Sequence, residues 1–422
     1  MRVADVPCVF CGGLCDDLVI DVENNVVRKV VHGCALSQGK FLNHEMNASF
    51  PAIRKDGELV RVTLDEAIGE AADILRGAQY PLVYGLSNTE TGAIRKCVEL
   101  AEICGATIDS TSSVCHGPTS LAVHSVGSVR ASLGEVKNRA DFLIFWGCNP
   151  AEAHPRHYTR YSVNPEGLFR RERRERFLTV VDIRETPSNA RADMSLVVDQ
   201  GHDFELLSAL RASIKGYGIS DTAGIRKQDI EMLAQKMKTC RFGVFFWGLG
   251  LTMTSGKDKN IEAAASLVRD LNEYTKFVMT PMRGHFNVTG AGAVLLWQAG
   301  YPNSVNFSRG YPVYNPGEFS VSDVLARKEP DCALIVASDP ISHLPRAAAE
   351  HLARIPTIII DPKITMTSLI AKVQIPSATA GISAEGSAYR MDGVALRLKK
   401  LVSCEYPSDA EILQKIIEEV RG

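Results

Sequence analysis

The chain reads as an α/β protein whose parallel sheets are covered by helices on both faces. Short apolar, β-branched runs occur at 81–85, 142–146, 178–181, 243–247, 277–279, 333–336 and 357–360. Helical periodicity separates most of them, as at 64–75 and 261–271. Runs that are apolar throughout and alternate with helices mark parallel strands buried on both sides. Several end in small or turn-forming residues, where open α/β sheets place their ligands. Any one such loop also matches an ordinary strand-to-helix turn.

With 422 residues the chain has room for about three domains. Its 45% hydrophobic and 23% charged residues suffice for a large core without disulfide staples. A formal charge of −2 gives no general attraction to nucleic acid or anionic membrane. No apolar run has the length of a membrane span, and residues 1–7 lack the pattern of a secretory signal, so a cytoplasmic location is expected. Four of the eleven cysteines lie in the first 34 residues. That crowding suits metal ligation in a reducing compartment better than a disulfide framework.

Residues 19–22 and 26–31 flank Asn24 and Asn25 and read as a hairpin, because asparagine tolerates left-handed turns. Around it Cys8, Cys11, Cys15 and Cys34 form C-x2-C-x3-C-x18-C. Three thiolates within eight residues can wrap one polymetal centre and the fourth can close it. Thiolate suits iron–sulfur clusters and zinc alike. Structural zinc more often shows two separated C-x2-C knuckles, so a [4Fe–4S] cluster is favoured.

An internal repeat is the stronger signal. Residues 140–149 read A-D-F-L-I-F-W-G-C-N, followed by Pro150 and by His154-Pro155-Arg156. Residues 330–339 read P-D-C-A-L-I-V-A-S-D, followed by Pro340 and by His343-Leu344-Pro345-Arg346. The next strand then ends in Asp182-Ile183-Arg184-Glu185-Thr186 in the first copy and Asp361-Pro362-Lys363-Ile364-Thr365 in the second. A carboxylate there can accept hydrogen bonds from a base edge or ribose, and a basic neighbour can neutralise phosphate. Two nucleotide-like sites are implied, with duplication lacking a ligand as the plainer alternative. Gly147 and Asn149, and Gly248 and Gly250 after a further strand, lie in matching loops. His154 and His157, in the first such loop, suit phosphate positioning or simple packing better than metal ligation.

Cys115 and His116 precede Gly117-Pro118 and a helical run from Thr119. Helix-terminal N–H groups stabilise a thiolate there, and histidine can move a proton near neutral pH. A buried thiol, a covalent nucleophile and a thiolate ligand to a soft metal are the three readings. The cluster motif and the duplicated loops favour the last. Arg283 follows a strand in M-R-G-H-F-N, where its planar fork suits formate or CO2 or else a structural ion pair. The arginine-rich stretch 169–177 reads as a solvated helical face or as a docking surface for an acidic ferredoxin-like partner.

Together the cluster motif, Cys115-His116, the duplicated loops and Arg283 resemble the molybdopterin oxidoreductase superfamily, formate dehydrogenases especially. Over nearly its whole length the chain is similar to the family of formylmethanofuran dehydrogenase B subunits. The stretches that carry this are C-V-F-C-G-G-L-C-D-D at 8–17, S-V-C-H-G-P at 113–118, G-E-V-K-N-R-A-D at 134–141, W-G-C-N-P-A-E-A-H-P-R-H at 146–157, P-M-R-G-H-F-N-V-T-G at 281–290 and A-E-G-S-A-Y-R-M-D-G at 384–393.

The resemblance implies a bis(molybdopterin guanine dinucleotide) cofactor carrying molybdenum or tungsten. Cys115 would coordinate the metal, with His116 and Arg283 beside the substrate. Lys40, Gly147, Asn149, His154, Asp182, Arg184, Thr186, Gly248, Gly250, Gly284, Ser338, Asp339, Asp361, Lys363 and Thr365 would contact the cofactor. The implied reaction is CO2 plus two electrons and a proton giving formate, which a partner subunit would condense with methanofuran. Implied partners in a hetero-oligomeric complex are a small β-barrel subunit, an amidohydrolase-like metal-dependent subunit and ferredoxin-like electron carriers. The implied architecture is a small iron–sulfur domain (1–55) and two interleaved Rossmann-like domains, one of 56–108 with 286–422 and one of 109–285.

Two departures stand out. Where many relatives have a lysine two residues after the fourth cluster cysteine, this chain has Leu36, and Lys40 is the nearest lysine. The superfamily's C-terminal β-barrel domain has no counterpart in the residues after Gly393. A scaffold relative without redox activity would have no need of Cys8, Cys11, Cys15, Cys34 and Cys115. The missing barrel argues against a free-standing formate dehydrogenase.

Overall fold

A computed structural model describes residues 1–422. It is a mixed α/β fold with parallel and antiparallel sheets. The chain divides into two compact units: Met1–Val114 with His285–Arg390 and Ala395–Gly422, and Cys115–Gly284 with Met391–Val394.

The second unit is built on five parallel strands. In spatial order they are Met194–Val197, Phe177–Asp182, Phe142–Trp146, Phe242–Trp247 and Lys276–Pro281. Every residue of Phe142–Trp146 and Phe242–Trp247 is buried, because helices cover both faces. Phe145 and Phe246 stack at 4.6 Å between these neighbours. The buried Trp146 places its indole N–H 2.7 Å from Asp203 Oδ1. From Phe142–Trp146 the chain winds one way, then returns beside it at Phe242–Trp247 and winds the other. The two central strands therefore open a crevice at their carboxyl ends.

The first unit repeats the plan in a larger sheet. Its parallel core runs Thr107–Ser110, Pro81–Gly85, Cys332–Val336, Thr357–Ile360 and Val373–Ile375. Short antiparallel strands extend both edges, at Val305–Asn306 with Val313–Tyr314 and at Ala52–Lys55 with Glu58–Arg61. Here the crevice lies between Pro81–Gly85 and Cys332–Val336. The N-terminal segment forms a separate antiparallel sheet of Arg2–Val6, Leu18–Glu23 and Val26–Val31. Its hairpin turns on Asn24 and Asn25, both left-handed at φ 50° and 62°.

The segment Ser112–Val126 is two helices joined at a kink at His116 (φ −128°, ψ 19°), where Pro118 cannot donate into the preceding turn. The helical run expected from Thr119 belongs to the second of them, and Cys115 ends the single turn before it.

The stretch 169–177, by contrast, is not the helical face its charge pattern suggested. Only Arg173–Glu175 forms a single 3-10 turn. Arg176 is 1% exposed and donates to the carbonyls of Lys137 and Arg170, each at 2.8 Å. Arg170 pairs with Asp141 and Arg173 with Asp193. Arginine tolerates this burial because its five donors can satisfy several carbonyls at once. Arg176→Ala is expected to destabilise the protein by about 3 kcal/mol, since those carbonyls lose their donor. A urea-unfolding midpoint measures it.

Candidate functional site

At the crevice of the second unit, Gly147, Asn149, Asp182, Arg184, Thr186 and Gly250 line one cleft of about 350 Å³, with Leu249 and Met253 as apolar walls. The glycines there have a steric cause. Gly147 sits at φ 58°, and a Cβ on it would stand 2.7 Å from Leu251 N. A Cβ on Gly250 would meet Gly147 Cα at 2.6 Å, and one on Gly248 would meet Cys148 Cβ at 2.6 Å. The two loops interlock backbone to backbone. Gly147→Ala should therefore cost about 3 kcal/mol, from left-handed strain plus overlap. Gly284→Ala, with open space around the added carbon, should shift the same thermal midpoint hardly at all.

The sequence repeat is a repeat of hydrogen bonds. In the second unit Ser188 Oγ donates to Asn149 Oδ1 (2.6 Å) and accepts from Ala151 N (3.1 Å). In the first unit Thr367 Oγ1 donates to Asp339 Oδ1 (2.5 Å) and accepts from Ile341 N (3.2 Å). The residues two before Asn149 and Asp339, Gly147 and Ala337, are both left-handed. Ser188 and Thr367 clasp the two loops and were not among the expected site residues. Their signal was faint: a hydroxyl residue six positions after each strand-end aspartate.

The two copies differ in what remains available. Arg184 is exposed in its cleft. Lys363, expected to neutralise phosphate, instead donates its ammonium to the carbonyls of His44 and Met46. Asp339 is likewise engaged, accepting from Thr367, Ser342 and Met366. Asp361 accepts from Lys363 N at 2.8 Å, and the neighbouring Thr365 hydroxyl is buried without a partner. Ser338 is buried beside them. In the same unit burial, then the neighbouring His343 and Lys40, lower the His285 pKa. His285 and His343 were missed as site residues, although the motif R-G-H and the repeated histidine pointed to them.

Burial, then the charges of Asp409 and Asp339, push the Asp361 carboxyl up to about 7. Burial likewise lifts Asp409 to about 6. Both values lie above the ordinary 3.8, so the fold prefers these groups protonated. That stabilisation is complete below about pH 4 and is lost as pH rises through 6 to 7. The thermal midpoint of cofactor-free protein is expected to fall across this window, and Asp361→Asn to flatten the fall.

Cys115, His116 and Arg283 come together in the second unit. Arg283 is 9% exposed and its Nε has no partner. Burial lowers its pKa to about 10, the Cys115 thiolate opposing and Arg130 adding to the shift. Arg130 is a further cation here. It is placed by the hydrogen bond from Met279 N to Val129 O (2.8 Å), which runs the preceding loop along the edge strand. Nothing in the loop G-S-V-R-A marked it in the sequence.

His116 is 1% exposed. Its Nδ1 lies 3.1 Å from Thr119 Oγ1, a hydroxyl that also accepts from Trp247 Nε1–H at 3.2 Å. The ring also bonds the Met282 carbonyl. A carbonyl only accepts, so that nitrogen carries the proton and Nδ1 accepts from Thr119. Burial, then Arg283, Arg130 and His154, push the His116 pKa down to about 3. The expected proton carrier is therefore a neutral, fully hydrogen-bonded ring at neutral pH. His154, expected in the dinucleotide cleft, lies instead in this group, its Nε2 2.8 Å from the Arg283 carbonyl. Gly284 directly follows that carbonyl.

In the N-terminal loop, Cys8 N donates to Cys15 O (2.9 Å) and Leu14 N to Cys11 O (3.2 Å), with Leu14 left-handed at φ 30°. Cys34 caps the helix Ala35–Leu42. All four are reduced, outside any disulfide. Burial raises the Cys8 pKa most, followed by Cys11, Cys15 and Cys34. Burial pushes Cys11 up to about 12, Cys15 and Cys34 adding to this and Lys40 opposing it. The four sulfurs and Lys40 thus share one neighbourhood. No three His, Cys, Asp or Glu side chains are gathered tightly enough to hold a single metal ion.

A family model for molybdopterin oxidoreductases matches residues 49–418. The B subunit of the tungsten-containing formylmethanofuran dehydrogenase 2 of Methanocaldococcus jannaschii is 48% identical over 99% of this chain and 98% of its own length. The protein of that name from Methanococcus maripaludis is 44% identical over 99% and 98%. Among solved structures, the formyltransferase/hydrolase complex of Methylorubrum extorquens with methylofuran matches at TM-score 0.72 and 25% identity, over 85% of this chain and 96% of that one. No helix is long and apolar enough to cross a membrane. The chain is an oxidoreductase dependent on molybdenum or tungsten and is similar to components of multi-subunit complexes. It belongs to the molybdopterin oxidoreductase family, in the group of formylmethanofuran dehydrogenase B subunits.

Proposed function

We propose that this chain reduces CO2 to formate at a molybdenum or tungsten centre held by two molybdopterin guanine dinucleotides and fed by a [4Fe–4S] cluster. The observation that carries the reading is the buried Arg283, which has no carboxylate among the charges acting on it and lies within the field of the Cys115 sulfur. A buried guanidinium that no carboxylate pairs is costly until such an anion binds. Formate, a planar carboxylate, matches the guanidinium fork.

The chain's residues fit the cofactors. Glycine loops too tight for any Cβ, an accessible Arg184, the spare oxygen of Asp361 and the unpartnered Thr365 hydroxyl suit two nucleotide ends. Four reduced thiols that act on one another suit a polynuclear centre, whose ligands stand further apart than those of a single ion. When bound, the metal–pterin group supplies the two-electron couple and the cluster supplies electrons one at a time. Cys8, Cys11, Cys15 and Cys34 would hold the cluster, with Lys40 beside it. Cys115 would ligate the metal. Arg283 would orient CO2 and formate, with Arg130 adding positive charge. His116 would remain a neutral hydrogen-bonded support.

The balanced step is CO2 + 2 e⁻ + H⁺ → HCOO⁻. Formate would pass to an amidohydrolase-like partner for condensation with methanofuran. A small β-barrel partner would complete the pterin site, and ferredoxin-like subunits would deliver electrons, all in the cytoplasm. Residues 1–55 would serve as the cluster domain, and two pterin-dinucleotide domains would follow.

Metal analysis of the anaerobically purified native complex tests this. About four Fe atoms assigned to this chain with one Mo or W supports it. An active complex without Mo or W overturns it and leaves a scaffold role.

A further inference from the structure

The turn that carries Arg283 has few strand contacts of its own. Met282 N donates to Trp247 O (2.7 Å), the last tie to the sheet. Arg283 N then turns back to Pro281 O (3.1 Å), a tight three-residue turn. Both carbonyls of the turn, Met282 O and Arg283 O, leave the ladder. Two buried histidines from separate segments meet them, His116 at Met282 O and His154 at Arg283 O.

His154 is itself rigidly placed. It follows the one-turn helix Pro150–Ala153, its backbone N–H donates to Pro150 O (3.0 Å), and its carbonyl accepts from His157 N (2.8 Å). The side chain is 5% exposed. Because Arg283 O can only accept, Nε2 carries the proton. Its other nitrogen, Nδ1, is buried without a partner. A ring placed to bind cofactor phosphate would direct a donor at the dinucleotide cleft. This ring's one donor points at the substrate arginine instead.

We propose that His154 is the positioning residue of Arg283. Its Nε2–H fixes the Arg283 carbonyl, and with it the direction of the guanidinium toward Cys115. This rests on the reading of Arg283 as the formate-binding residue. An Arg283 carbonyl left without its donor would let that end of the turn shift, while Met282 stays tied to Trp247 and His116. The guanidinium would then sample directions away from the anion. Precise placement of such a group matters, since small misplacements of substrate-orienting residues cost large factors in rate.

The test uses the whole cofactor-loaded complex with three variants and azide, an inert linear anion, as probe. His154→Phe keeps the bulk and removes the donor. His154→Gln places an amide N–H near the lost Nε2–H. Arg283→Gln serves as the reference. Azide affinity is measured calorimetrically on the anaerobic complex, beside KM and kcat for formate oxidation and the Mo, W and pterin content. The expected result for His154→Phe is azide affinity and formate KM each weakened roughly 10- to 100-fold, with metal and pterin content at the parent level. His154→Gln should recover most of the affinity.

Unchanged azide affinity in His154→Phe overturns the proposal. Loss of pterin and metal from His154→Phe, with His154→Gln failing to rescue, also overturns it and returns the residue to the cofactor. If Arg283→Gln leaves azide and formate binding intact, the reading of Arg283 fails first. If Arg283→Gln abolishes binding while His154→Phe does not weaken it, only the positioning role fails.

Discussion

A Cys8→Ser chain, assembled and purified without oxygen, should carry almost no iron at a site where the parent carries about four atoms. A serine hydroxyl is a hard oxygen donor with a far higher pKa, a poor ligand for a cluster that selects soft thiolate. The position is also unforgiving. Cys8 is buried, and its backbone is bonded to that of Cys15 at 2.9 Å, so no neighbour can move in as a substitute. CO2 reduction by an external one-electron reductant should fall by about 100-fold or more, as electrons lose their route. Cys97→Ser provides the contrast. Cys97 is fully buried in a helix of the apolar core, and its replacement should lower stability while leaving the iron in place. Iron retained in the Cys8 variant would remove the cluster from the mechanism.

The second large effect is at Arg283. Arg283→Gln should lower kcat/KM for formate by about 10²- to 10³-fold, the usual result of removing a charged donor aimed at the reacting group. That corresponds to about 3–4 kcal/mol of transition-state stabilisation. Arg283→Lys should fall between, because an ammonium keeps the charge but loses the planar fork. Stopped assays of formate oxidation by the loaded complex decide it. A glutamine variant within about threefold of the parent would move substrate binding elsewhere.

Much of the fold was legible because parallel strands buried on both faces leave unbroken apolar runs. Phe142–Trp146 and Thr357–Ile360 are strands over the residues their patterns indicated. The hairpin at Asn24-Asn25 was legible because left-handed turns restrict residue type. What failed has the opposite character. The stretch 169–177 looked helical by charge alone, yet Arg173 and Arg176 reach main-chain carbonyls that no sequence displays. Lys363 matched Arg184 in the repeat, but the partners of its ammonium, His44 O and Met46 O, come from a segment over 300 residues away in sequence. His116 read as able to move a proton because an isolated histidine titrates near neutrality; burial beside Arg283 and Arg130 lowers its pKa, an effect no sequence pattern displays. Arg130 had no pattern at all, since a loop residue acquires meaning only from the strand edge it follows.

The fastening of Lys363 bears on how the N-terminal segment came to belong to this protein. Ile364 N donates to Asn47 O, Ser49 N to Pro362 O and Gln374 Nε2 to Phe50 O, while Asn25 and Ser403 exchange two bonds and Lys399 reaches Ala4 O. Cutting the chain near residue 50 would leave a stranded ammonium and a row of bare amides on the remaining body. The thiol-bearing segment is therefore a welded part and not a cartridge. Transplanting it to another scaffold would require carrying the receiving surface along, and a chain made without it would meet the cell's quality control as an unfinished protein.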